Sequence, residues 1–249
     1  ESYEVIELLK KQSYLQLTII GITNEAESSL ARMATCPLLC KAGKEDMTST
    51  KTFVTTYLVI YLLAQALKGN EVSEEVLNKV VKEVERQLAE QETYLSHSLS
   101  FLRGYRFIQV IGRGTVFATV SQTALMFMEA TKTPASALLG GEFRHGPLEM
   151  VNPDFLCIIY AHSQSGVYPQ LVKLALDVLN FKGKVILVSD IASGIEDGGL
   201  LEINVCCEYS DWFAIPSIIP VQLMVNAWAE EMNLVPGSFT HGAKVTAIE

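Results

Sequence analysis

The chain has 249 residues, of which 49% are hydrophobic and 19% charged. That composition excludes a disordered, collagen-like or coiled-coil chain, and the length allows a full core in one large domain or two smaller ones. A formal charge of −9 without any dense Lys/Arg run lacks the basic face that nucleic-acid binding needs.

Residues 1–12 carry Val5, Leu8, Leu9 and Gln12 at helical spacing, with acids early and lysines late, as the helix dipole prefers. Residues 15–23 form a short β-branched apolar run closed by Asn24, the pattern of a buried parallel strand. Residues 28–33 read as a helical turn and 37–41 as a short extended piece. Residues 48–67 read as a long apolar helix opened by the cap candidates Thr48, Ser49 and Thr50 and ended by Gly69-Asn70. From Ser73 to about Ser98 the pattern predicts one charged amphipathic helix bridging two apolar halves. Its apolar stripe is Val76, Leu77, Val80, Val84 and Leu88.

The second half repeats the order of the first. Strands are expected at 106–112, 155–161, 184–189 and 201–206, and helices at 118–131, 168–180 and 216–232, before a polar tail at 236–249. A repeat of low identity is visible: Glu1-Ser2-Tyr3 leads a helix and then a strand, as does Ser165-Gly166-Val167-Tyr168. Strand–helix–strand alternation of this kind implies right-handed βαβ units and parallel sheets. The expected fold is therefore α/β, with two open parallel sheets joined by a helical linker and ligands held beyond the carboxyl ends of the strands.

Five cysteines, with no Cys-x-x-Cys among them, predict free thiols of a reducing cytosol rather than a disulfide scaffold. No histidine pair has metal-ligand spacing, so no metal site is expected. The longest apolar stretch, near 57–67, is too short to cross a bilayer, and no signal peptide precedes it, so a cytoplasmic protein is expected.

Three places could carry chemistry. The string Gly140-Gly141-Glu142-Phe143-Arg144-His145-Gly146-Pro147 reads as a compact loop with three ionisable groups in four residues. Turn formation explains its Gly and Pro, and a surface ion pair is the bland account of the charges. His145 is also a competent proton shuttle near neutral pH. Glu129 lies in a segment otherwise apolar, where it either reaches solvent at a helix end or sits in a dry pocket poised for proton abstraction. Lys244 in the tail is solvated by default, and an amine that could open a sugar ring or form a Schiff base if the tail folds over a pocket. Ser2 and Ser49 stand at expected helix N-termini, where capping and phosphate binding use the same geometry. Gly112-Arg113-Gly114 and Ser163-Gln164-Ser165-Gly166 each follow a strand and open a helix, so both are candidate phosphate nests. The first is not a dinucleotide fingerprint, since Phe117 replaces its third glycine.

At these residues the chain resembles the sugar isomerase (SIS) family, which includes the isomerase half of glutamine–fructose-6-phosphate aminotransferase and stand-alone phosphosugar deglycases and deaminases. The likeness runs from residues 24–30, Ala42-Gly43 and Ser49-Thr50-Lys51-Thr52-Phe53 to Gly112-Arg113-Gly114, the Glu129 helix, residues 141–147 and the Lys244 tail. The resemblance implies two SIS modules with flavodoxin-like sheets: module one at 1–69, a linker at 70–103, module two at 104–209, and a helix and closing tail at 210–249. It assigns Glu129 as the base that moves a proton between sugar C1 and C2. His145 becomes the histidine assisting ring opening or leaving-group protonation, often supplied by a neighbouring subunit. Lys244 becomes the lysine closing over the open-chain sugar, and Ser2 and Ser49 phosphate- and sugar-contacting hydroxyls. The family's first strand, its Gly-Thr/Ser-Ser loop and most of its phosphate loop would lie upstream of Glu1, so module one is expected to be incomplete here. Met126 stands where the aminotransferase carries a lysine, which argues against an unmodified aminotransferase mechanism.

The activity implied is amine release from a 6-phosphorylated amino sugar or sugar–amine adduct. The alternatives are the isomerase part of a hexosamine-forming aminotransferase and a non-catalytic phosphosugar sensor. No cofactor is expected, since an imine supplies the electron sink. The apolar segment 216–232 and the shared-site histidine together predict a homodimer.

Overall fold

The structure, a computed structural model, describes residues 2–13 and 17–242. It divides into two compact units, one formed by Glu1–Val72 with Gly237–Glu249 and the other by Ser73–Pro236.

In the first unit, α1 (Tyr3–Ser13) precedes β1 (Ile20–Thr23), α2 (Ser29–Met33), β2 (Cys36–Leu39) and α3 (Lys51–Leu67). β1 and β2 pair in parallel, with Ile20 opposite Cys36 and Thr23 opposite Leu39. The strand expected over 15–23 is thus shorter, and residues 14–16 lie outside the described ones. Ser28 caps α2 by accepting from the Ala31 N–H at 3.2 Å. The start of α3 is organised by Glu45, whose Oε1 accepts from the N–H groups of Thr50 and Thr52, both at 2.9 Å. Those orphan helix donors are therefore met by a carboxylate from the preceding loop, not by the hydroxyls Thr48, Ser49 or Thr50.

The second unit opens with α4 (Glu74–Ala89) and α5 (Glu92–Leu102). The single helix expected from Ser73 to about Ser98 is broken after Ala89, where the chain turns so that α5 reaches β6 and β7 while α4 packs on α9. Its stripe also differs. Leu88 is exposed, and the fully buried α4 side chains are Glu83 and Gln87. There follow β3 (Ile108–Gly112), α6 (Phe117–Met126), β4 (Ala135–Leu139), α7 (Gly140–Arg144), β5 (Leu156–Ala161), α8 (Tyr168–Asn180), β6 (Lys184–Ser189), β7 (Leu200–Asn204) and α9 (Ala214–Glu231). A 3₁₀ turn at Gly114–Val116 leads into α6.

All five strands are parallel, in the order β4-β3-β5-β6-β7. This is the flavodoxin-like doubly wound order, reversing direction between β3 and β5. Helices cover both faces, so the central strand does not alternate: every residue of β5 is buried. Cys157, Ile159 and Ala161 face Leu171, Leu174 and Val178 of α8. From the other face Tyr160 shares a 2.7 Å hydrogen bond with Thr123 of α6. Gly112 permits the close crossing of α6 over β3, since a Cβ there would lie 2.6 Å from Val120 Cγ2. The fold class expected from the sequence is the one observed. All five cysteines are free. No helix among the described residues is long and apolar enough to cross a membrane.

Candidate functional site

Glu129 sits where α6 changes its winding. Beyond Met126 the helix continues as one π-helical turn, Phe127–Thr131. Such turns insert an extra residue, widen the helix and redirect a side chain, and they occur often at functional sites. The turn is pinned from within. Phe127, Ala130 and Thr131 are buried, and Thr131 Oγ1 donates to the Phe127 carbonyl at 2.7 Å. Lys132, at φ 58°, ends it, and its ammonium donates to the Glu129 carbonyl. The Glu129 side chain is half-buried, and its Oε2 is shut off from solvent. The carboxylate thus stands close to the end of the helix, with one oxygen enclosed and the side chain as a whole partly accessible.

His145 occupies a different kind of place. Residues 140–144 are not a loop but the short helix α7, and His145 is its exposed C-terminal cap. Glu142 Oε2 turns back to accept from the Leu139 N–H at 3.0 Å. Arg144 pairs with Asp177 of α8 at 2.6 Å. Two of the three ionisable groups in the string are thus structural, leaving His145 facing solvent. Phe143, fully buried and stacked on Phe155 with centroids 5.8 Å apart, anchors the segment. His145 makes no side-chain hydrogen bond to Glu129.

Ser2 and Ser49 belong to the other unit. The Ser2 carbonyl accepts from the Ile6 N–H at 3.1 Å, opening α1 as a cap residue does. Ser49 Oγ is 2.6 Å from Thr52 Oγ1. Lys244 lies outside the described residues.

Ser163–Gly166 is less of an anion nest than its sequence suggests. Asp190 accepts from the Ser163 N–H at 2.6 Å and also from the Ser163 hydroxyl, and the Gln164 N–H donates to His162 Nδ1 at 3.2 Å. Acceptors within the protein therefore already take the first amides of that loop. Sequence reasoning missed His162, which is 3% exposed, with Nε2 3.6 Å from Asp190 and its ring edge-on to Phe213 at 5.1 Å. It also missed Glu83. The only advance signal for either was position: a His directly after a buried strand, and a Glu three residues before Arg86. Among the described residues no group of three or more His, Cys, Asp or Glu could hold a metal ion.

Comparison with known proteins agrees with this architecture. The SIS domain family model matches residues 1–66 and 101–226. A glutamine–fructose-6-phosphate aminotransferase [isomerizing] of Aeropyrum pernix is 28% identical over 212 residues, which is 79% of this chain and 34% of that protein. Its namesake in Acinetobacter baylyi is 28% identical over 226 residues, 86% of this chain and 36% of the relative. The chain thus spans about a third of the length of these curated relatives. Among solved structures, the C-terminal domain of glucosamine-fructose-6-phosphate aminotransferase from Francisella tularensis superposes with a TM-score of 0.81 at 22% identity, covering 93% of this chain and 68% of that one. Glucosamine-6-phosphate deaminase from Thermotoga maritima gives a TM-score of 0.75 at 22% identity, with 98% and 72% coverage. The family model takes in well over half of the sequence, and the five-stranded parallel sheet has the order expected of it: the chain belongs to the SIS domain family.

Proposed function

We propose that this chain is a phosphosugar-processing enzyme that acts on a 6-phosphorylated amino sugar or sugar–amine adduct and releases the amine. The observation that carries this reading is Glu129, a carboxylate with one oxygen shut off from water on a π-helical turn. A carboxylate so placed is a base for the proton next to a carbonyl or imine. In this reading Glu129 moves a proton between C1 and C2, His145 protonates the departing amine or ring oxygen within a homodimer, and Lys244 closes over the open chain. Ser2 and Ser49 hold the phosphate and sugar hydroxyls. The division into a first module (1–69), linker (70–103), second module (104–209) and closing segment (210–249) belongs to the same proposal.

A second reading has its own support. The curated relatives compared above are aminotransferases named as isomerizing, and this chain spans about a third of them. As the isomerase part of such an enzyme it would interconvert fructose and glucosamine phosphates when ammonia is supplied. Met126, apolar and buried on α6, favours the first reading, because the aminotransferase pattern places a lysine there.

One experiment separates them. Release of amine from glucosamine 6-phosphate and phosphorylated adducts is measured beside glucosamine formation from fructose 6-phosphate and ammonium. Glu129→Gln lowers turnover about 10²–10⁴-fold while ligand binding persists. Full turnover in that variant refutes both enzymatic readings.

A further inference from the structure

We propose that the second unit carries its own non-catalytic binding site for a compact phosphate monoester, in the cavity at the carboxyl ends of β3 and β5. The cavity is about 250 Å³ and lies at the point where the strand order reverses. Open α/β sheets bind ligands at that point because two neighbouring loops diverge there. Its volume admits a monophosphorylated sugar and is too small for a dinucleotide.

The charge of the cavity comes from Arg113. This half-buried side chain takes part in no ion pair or hydrogen bond among the described residues. Its methylenes lie against Gly140 and its guanidinium against Gly141, where an added Cβ would meet Cδ and Nη2, each at 3.4 Å. The two glycines therefore leave room for a cation that pairs with no carboxylate among the described residues. A half-buried guanidinium in that state is matched by a bidentate oxyanion.

The other groups fit the same ligand. Arg113 is the cap residue of the helical run opening at Gly114 and offers those first N–H groups no side-chain acceptor. Thr115, after β3, and Ser165, after β5, both line the cavity and carry hydroxyls. Asp190 does not line the cavity and is already engaged by Ser163, while Asp211 lines it as an exposed side chain. The anion is thus taken by the β3–α6 side, with the β5–α8 loop, whose own amides are used internally, supplying hydroxyls. Glu129 is fourteen residues beyond Thr115, or about 20 Å along the helix, so a ligand here does not touch it. The proposal stands apart from the catalytic reading.

Arg113 can be followed directly, by phenylglyoxal labelling of the full chain and peptide mass spectrometry. Inorganic phosphate and glucosamine 6-phosphate are the probes, with sodium chloride at matched ionic strength as control. Both phosphates are expected to protect Arg113 saturably, and chloride is not. Ser165→Asp is expected to weaken that protection roughly ten- to a hundredfold. Ser165 Oγ accepts from the Val167 N–H at 3.4 Å, and Asp can make the same turn, so the fold is retained while a negative charge enters the cavity. Thermal unfolding checks that retention. Glu129→Gln is expected to leave the protection intact, which separates failure of this site from failure of the proposed reaction. Labelling of Arg113 unaffected by phosphate, equal protection by chloride, or full protection in Ser165→Asp overturns the proposal.

Discussion

Replacing Glu83 by Gln is the sharpest probe of how the second unit is held together. Glu83 is 5% exposed. Its two oxygens accept from Arg86 Nε at 2.8 Å and Nη2 at 2.7 Å, from Gln87 Nε2 at 2.7 Å and from the Cys206 N–H at 3.0 Å. Arg86 and Gln87 donate onward to the Asn204 carbonyl at the end of β7. The carboxylate thereby ties α4 to a chain segment more than a hundred residues away, and the Glu83 hydrogen bond holds the Arg86 guanidinium above its ordinary pKa. In the Gln variant an NH₂ group faces the guanidinium, donor against donor. Breaking a buried pair costs about 3–5 kcal/mol when the survivor is stranded. Arg86 is not stranded, because it is 34% exposed and also pairs with Glu90 at 2.6 Å. The expected loss is therefore about 2–4 kcal/mol, or roughly 4–16 °C in Tm for a unit of this size. Urea unfolding of Glu83→Gln, Arg86→Met and the double variant measures it, with a coupling of at least about 1 kcal/mol expected between the two. A loss below about 0.5 kcal/mol, or strict additivity, would refute the reasoning.

Two further outcomes follow from the same packing. Gly112→Ala places a methyl 2.6 Å from Val120 Cγ2. The β-branched valine has one helix rotamer to use, so chemical denaturation should show a loss of about 1–3 kcal/mol. Burial pushes the Cys207 thiol up to about 11. The unfolded thiol ionises near 9, so the folded state keeps its proton longer, and this contribution to stability is present below pH 9 and lost as pH rises towards 11. Melting curves across that window should fall less steeply for Cys207→Ser than for the parent, and identical slopes would contradict the assignment.

Much of the second unit was legible in the sequence because its signals were local. The limits of α8 and β6 coincide with those read from sequence, one opened by Tyr168-Pro169 and the other built on the apolar run Val185-Ile186-Leu187-Val188. β4 was missed: Ala-Ser-Ala-Leu-Leu has little strand propensity, and as a half-buried edge strand it is held by β3 rather than by its own residues. Gly140-Gly141 resembled a turn, yet Glu142 reaching back to Leu139 makes it a helix start. Nothing local marks the break after Ala89, since Glu90 and Gln91 are good helix formers and tertiary packing of α5 decides it. The same holds at the site. Glu129 stood out as a charge among apolar residues, while its π-helical setting left no mark in composition. Glu83 looked like one more solvated charge because its distant partners, the Asn204 carbonyl behind Arg86 and the Cys206 amide, are invisible along the chain.

The interleaving of the two units bears on how the molecule is made. Ser73–Pro236 is one uninterrupted stretch, whereas the other unit draws on residues from both sides of it. Gly237 comes against Asp46, 3.9 Å from where a glycine Cβ would sit. A ribosome therefore delivers everything the inserted unit requires before it delivers the residues from Gly237 onward that its companion is waiting for. Folding during synthesis should proceed outward from the inserted unit, with the residues on its N-terminal side among the last to settle.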